Sequence, residues 1–195
     1  MAEQQETILH GIAASPGIAI GEAMVINTFY TAFCEPEQKT VPRGREETEI
    51  SRFDAALDVS RRELRSMQRR MQNELDVKNA GIFDAHLLIV DDQMIRQEAE
   101  QLIRTRNYSA DYAFYITVNR YINAIAAMED EYLKERADDI RDVASRILSH
   151  LQGTRNPALE QLPGRRIVIA NDLTPSATAM LDRDNVMGFA VGTGS

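Results

Sequence analysis

No tryptophan and only one cysteine, Cys34, occur among the 195 residues. A lone thiol forms no disulfide within the chain and builds no cysteine-based metal site. No apolar run approaches the ~20 residues that span a bilayer. The opening MAEQQETILHGIAAS lacks a basic start followed by an apolar core of signal-peptide length. These absences set the expectation of a cytoplasmic protein without membrane contact. Positive charge is also short: 22 Lys and Arg against 30 Asp and Glu leave a formal net charge of −8. Nucleic acid is therefore not an expected partner, whereas a basic protein is easier to accommodate. The three histidines, His10, His86 and His150, have no His or Cys two to five residues away. Zinc has no support, and no metal site is expected.

What is present is ordinary for a globular chain, 44 % apolar and 27 % charged, with room for one large domain or two small ones. Three zones differ in pattern. Up to about Pro42 the chain reads as strand and turn: Ile18, Ile20 and Met24-Val25-Ile26 are β-prone, punctuated by Ser15-Pro16-Gly17 and Gly21. From about Pro42 to Gln152 it reads as helix. Ile50, Phe53, Leu57, Leu64, Met67, Met71 and Leu75 recur on one face, and Arg61, Arg62, Glu63, Arg65, Arg69 and Arg70 fill a solvated face.

Two more stripes follow. Phe114, Val118, Tyr121, Ile122, Ile125 and Met128 form one behind Ser109 as N-cap; Leu133, Ala137, Ile140, Ala144, Ile147 and Leu151 form the other. Ile82 to Val90 is nearly all apolar and stops at Asp91-Asp92, a cap for a further run with Ile95, Ala99, Leu102 and Ile103. The pattern predicts four helical segments, one of them broken. After Pro163-Gly164, Arg165 to Ala170 reads as a strand, Asp172 or Thr174 with Pro175 as a helix start, and Val186 to Ala190 as another strand. The expected fold is mixed α+β: an α/β subdomain of residues 1–42 and 153–195, with a helical subdomain of residues 43–152 inserted into it.

Taken singly, the titratable residues read as structural. His10 is a surface residue, His150 complements a helix C-terminus, and His86 is a core or boundary imidazole. The groups Glu129-Asp130-Glu131 and Asp138-Asp139 are solvated helix faces that Arg136 and Arg141 can neutralise. Gly192-Thr193-Gly194 lacks the lysine of a phosphate loop.

Several blocks together resemble the N-terminal part of Enzyme I, the phosphoenolpyruvate-protein phosphotransferase of the bacterial sugar phosphotransferase system. They are Gly11-Ile-Ala-Ala-Ser-Pro-Gly-Ile-Ala-Ile-Gly21, Ile82-Phe-Asp-Ala-His-Leu-Leu-Ile-Val-Asp-Asp92, Asp130-Glu-Tyr-Leu-Lys-Glu-Arg-Ala-Asp-Asp-Ile-Arg-Asp142, and Ala170-Asn-Asp-Leu-Thr-Pro-Ser176 with Gly188-Phe-Ala190. The match starts near Met1, from which the sugar-system branch is expected over the nitrogen-related one. The resemblance implies an α/β phosphohistidine-type subdomain and an inserted four-helix subdomain that docks HPr, a small histidine phosphocarrier. It places His86, Leu88, Ile89, Asp92 and Ile95 in the docking groove, with Ile125, Tyr132, Leu133 and Arg136 beside them. Gln93 and Met94 depart from the acidic pair that the family often carries after the bend. Alternative readings are a docking module without chemistry and a swivelling phosphohistidine domain of the pyruvate phosphate dikinase group.

By the same resemblance, Gly-Phe-Ala leads in the family to Gly-Gly-Arg-Thr-Ser-His, whose histidine takes the phosphate, and a later strand ends in Val-Gly-Thr-Gly-Ser. Here Phe189-Ala190 run directly into Val191-Gly-Thr-Gly-Ser195, so no catalytic residue is expected in the chain. An omitted segment, an engineered deletion and a natural truncation would each explain the junction. Thr178 matches a threonine that supports the family imidazole. Mg²⁺ and the homodimer contact belong to the family's C-terminal part. The chain as written is thus expected to bind HPr but not to accept phosphate from phosphoenolpyruvate. Incubation with labelled phosphoenolpyruvate should leave it unlabelled, and stoichiometric labelling would contradict the reading.

Overall fold

The structure is a computed structural model that describes residues 7–26, 33–74, 77–154, 162–171, 173–181 and 184–192. Leu75 and Asp172 fall outside these residues, and Tyr132 and Leu133 are described in their backbone only. In chain order the elements are β1 (Glu22–Ile26), α1 (Glu46–Glu74), α2 (Val77–Val90), α3 (Gln93–Arg106), α4 (Ala110–Ala126), α5 (Glu131–Gln152), β2 (Arg166–Ala170), α6 (Pro175–Met180) and β3 (Val186–Val191). The mixed fold expected from the sequence is present: five long helices, two of them halves of one broken helix, accompany a small sheet.

The helices are amphipathic for the reason the sequence shows, a heavy apolar residue every three or four positions. Phe53, Leu57, Leu64 and Met67 of α1 are buried against Phe114, Val118 and Ile122 of α4 and Ala137, Ala144, Ile147 and Leu151 of α5. Phe53 and Phe114 meet at 5.4 Å between ring centres. Arg52 ties three helices at one end of the bundle. Its guanidinium donates to the Leu151 carbonyl at 2.9 Å and pairs with Glu49 at 2.8 Å and Asp111 at 3.1 Å. Helix α5 stops at Gly153, whose φ of +66° suits a residue without Cβ.

Two local expectations need correction. Ser109 occupies the N-cap of α4 with extended backbone, but its side chain makes no capping bond. Glu49 reaches across instead and accepts from the Ala110 N–H at 2.8 Å. Ile18 and Ile20 lie outside the sheet, exposed, because β2 offers only five residues and these pair with Glu22–Ile26.

Strands β1, β2 and β3 are all parallel and lie in that order, with Met24 opposite Val168 and Val168 opposite Phe189. Parallel neighbours need long crossovers. The first crossover holds helices α1 to α5 and the second holds α6. One face of the sheet buries Ile26, Val168 and Ala170 with Leu162 and Leu181 in a second, smaller core. Strand β3 runs unbroken through Ala190 and Val191, which pair with Ile169 and Ala170.

Where α6 meets the helices, Ala179 and Met180 pack on the large core and Arg146 donates to the Met180 sulfur at 3.4 Å. Glu63, expected on a solvated face, lies here instead: one carboxylate oxygen binds Arg146 at 2.8 Å and His150 at 3.0 Å. Burial alone would push this carboxyl up, but the hydrogen bonds and charges of His150 and Arg146 more than offset it and hold it at about 2. A carboxyl depressed in the folded state adds stability that is complete above its ordinary value of 4.5 and is lost as pH falls toward 2. Glu63→Gln should cost about 2 kcal/mol at neutral pH and flatten the decline in urea midpoint between these pH values. A mutant as acid-sensitive as the parent would contradict the assignment.

Candidate functional site

The break between α2 and α3 shapes one surface of the bundle. Asp92 sits there with extended φ and ψ of −65° and 113°, and its carboxylate accepts from the backbone N–H groups of Met94 at 2.8 Å and Ile95 at 3.0 Å. These are among the donors that a new helix leaves unsatisfied, so the side chain starts α3. Asp91 closes α2, its N–H bound to the Leu87 carbonyl at 3.0 Å, while its carboxylate pairs with the Arg61 guanidinium of α1 at 2.7 Å. The bend is thereby tied to the long helix beneath it.

Around the bend the side chains divide by depth. Leu88 is 74 % exposed and Met94 64 % exposed, one on each side of the break. Such exposure is unusual for two large apolar groups so close in sequence. Ile89 and Ile95 are half-buried and share a crevice with Asp92 and Arg96, over Phe53, Leu57 and Phe114. Arg96 is held there by Asp54 at 2.8 Å and Glu100 at 2.9 Å. The surface is therefore apolar at its centre and charged at its edge, the layout of a protein-binding patch.

Of the other residues expected at the site, Ile125 is half-buried near the end of α4 and packs on the large core. Arg136, on α5, is part-exposed and pairs with Asp139 at 2.9 Å. Tyr132 and Leu133 are in the first turn of α5, with side chains outside the described part. Thr178 is exposed on α6, and its hydroxyl donates to the Thr174 carbonyl at 3.0 Å, an intrahelical bond.

His86 is the exception. It was expected in the groove, but the structure buries it completely. Its ring stands edge-on to Phe83 at 5.8 Å, and Nε2 lies 3.6 Å from the Asp139 carboxylate, beyond hydrogen-bond length. Neither ring nitrogen has a hydrogen-bond partner. In this conformation His86 acts on the surface only through Asp139, which also holds Arg136. Met94, noted in the sequence only as a departure from the family's acidic pair, was not among the residues expected in the groove; its signal was an apolar side chain in the first turn of a helix, where it is left exposed.

Among the described residues no group of three or more His, Cys, Asp or Glu could hold a metal ion, and no helix is long and apolar enough to cross a membrane.

Comparison with known proteins gives the family and the fold. Residues 10–136 match the family model described as "PEP-utilising enzyme, N-terminal". The chain is 36 % identical over 187 residues to a phosphoenolpyruvate-protein phosphotransferase of Staphylococcus aureus, covering 96 % of this chain and 32 % of that protein. It is 41 % identical over 192 residues to the one from Geobacillus stearothermophilus, covering 97 % and 32 %. It therefore spans about a third of the length of these relatives. Among solved structures it resembles an Enzyme I protein determined by NMR in solution, with TM-score 0.79 and 35 % identity over 96 % of this chain and 75 % of that one. The N-terminal domain of a nitrogen Enzyme I is also similar, with TM-score 0.69 and 27 % identity over 93 % and 73 %.

The cap at the bend has a measurable consequence. Asp92→Ala should lower stability by about 1 kcal/mol and speed amide exchange at Met94 and Ile95 most. Uniform loss of protection across α3 and α4 instead would show that the carboxylate does not define the bend.

Proposed function

We propose, for a chain that belongs to the N-terminal family of PEP-utilising enzymes, that its helical part is the docking unit for the phosphocarrier HPr within a phosphoenolpyruvate-dependent sugar phosphotransferase system. The observation that carries this reading is the pair of exposed apolar side chains, Leu88 and Met94, across a capped helix break. Ile89, Ile95, Asp92 and Arg96 lie in the crevice alongside. Helix α3 packs on α4, and α4 on α5; in this reading Ile125, Tyr132, Leu133 and Arg136 belong to the same docking surface. A partner with an apolar centre and a basic rim would find both its complements here: burial for the centre, and Asp92 with its neighbours for the rim.

In this proposal residues 43–152 form the docking subdomain, and residues 1–42 with 153–195 form the α/β subdomain into which it is inserted. The parent enzyme takes phosphate from phosphoenolpyruvate onto a histidine and hands it to a histidine of the carrier. Imidazole is a competent nucleophile near neutral pH and a good leaving group once phosphorylated. What such a relay needs from a docking surface is orientation of two rings. The chain described here supplies docking and no phosphate-accepting histidine, since His86 is buried and His10 and His150 are remote from the surface in sequence. Thr178 is assigned the supporting position beside the missing imidazole.

The test is a binding isotherm with HPr by titration calorimetry. Leu88→Asp removes an exposed apolar contact without disturbing the core and should weaken binding at least about tenfold. An affinity unchanged by Leu88→Asp and by Met94→Asp would exclude the bend as the docking surface.

A further inference from the structure

Helix α1 carries six arginines, and they fall into two groups. Arg52 is paired with Glu49 and Asp111, and Arg61 with Asp58 and Asp91. Arg62, Arg65, Arg69 and Arg70 are exposed and have no ion pair or hydrogen bond among the described residues. At 3.6 residues per turn, Arg62, Arg65 and Arg69 lie within about 60° of one another around the helix axis, on a stripe roughly 10 Å long with Arg70 on its flank. The chain has 30 acidic residues against 22 basic ones, so four adjacent guanidinium groups without a carboxylate among the described side chains are not a consequence of composition.

Among the described residues nothing in the fold accounts for the stripe. Like charges three and four residues apart, as in Arg62 with Arg65 and Arg65 with Arg69, destabilise a helix. The last turn of α1 holds no basic residue, so the stripe does not complement the carbonyl end of the helix. It is also set apart from the α2–α3 bend, toward which Arg61 and not its neighbours is turned.

We propose that this face of α1 is a second docking surface, for a carboxylate-rich helical segment of a protein partner. A guanidinium offers a planar fork that fits carboxylate as well as phosphate, and the charge pattern decides between them. Duplex nucleic acid carries a charge about every 1.7 Å of its axis, and the many phosphates beyond the short stripe would face a chain of net charge −8. An acidic helix with carboxylates at steps of three, four and seven matches the stripe group for group and ends where it ends.

The experiment uses a synthetic alanine-rich helical peptide bearing glutamate at those steps, its glutamine counterpart, a short DNA duplex, and the full 195-residue chain. The glutamate peptide should bind in a salt-sensitive manner and the glutamine peptide should not. Combining Arg65→Gln with Arg69→Gln should weaken binding at least about tenfold, while leaving HPr affinity unchanged and raising the thermal midpoint of the free chain. The proposal is overturned if the two peptides bind alike, if the double variant binds the glutamate peptide as the parent does, if DNA binds more tightly than that peptide, or if the double variant is less thermostable. The last outcome would assign the arginines to the fold.

Discussion

Two adjacent carboxylates, Asp91 and Asp92, impose the constraint on which the helical part depends. One is drawn back to Arg61 of α1 and the other turns forward to the first N–H groups of α3. Without them, Val77 to Arg106 would tend to continue as one helix roughly 45 Å long, and the apolar residues around the break would follow a single face. The break changes the phase between α2 and α3. It lets Phe83, Val90, Ala99 and Ile103 enter the core while Leu88 and Met94 stay outside. Exposed apolar area here is thus a consequence of capping chemistry.

The same region shows how far the sequence could be read. Helix boundaries were legible because the punctuation is strong: the Asp91-Asp92 break, Thr174-Pro175 before α6, and heavy residues every three or four positions in α1, α4 and α5. His86 read singly as a core or boundary residue, and it is buried; the groove position implied by the resemblance differs, because Ile82 to Val90 is apolar nearly all round and its pattern does not say which face turns inward. Glu63 was hidden for a different reason. Its partners Arg146 and His150 lie 83 and 87 residues away, and amid arginines it looks like part of a solvated face. Glu49 took the capping role expected of Ser109 by reaching from another helix, which no local rule detects.

The α/β part was legible in its strands and less so in their extent. Each strand pairs only as far as its neighbour allows, so five residues of β2 set the length of β1 regardless of the β-prone residues before it. Its link to the helices runs through α6, where Met180 and Ala179 rest on the large core near Glu63, Arg146 and His150. This charge cluster and the ion pair at the bend use opposite faces of one stretch of α1, where Glu63 follows Arg61 by two residues, about 200° around the helix. Family membership adds the chemical setting, the N-terminal part of a PEP-utilising enzyme, while the chain itself spans about a third of its relatives.

The most direct measurement of the central claim is a titration of the isotope-labelled chain with HPr, followed by amide chemical shifts. The account predicts that the largest changes fall within Ile82 to Ile95 and Ile125 to Arg136, greatest on either side of the Asp91–Asp92 break. Changes confined to the sheet, to α6 or to the arginine face of α1 would contradict it.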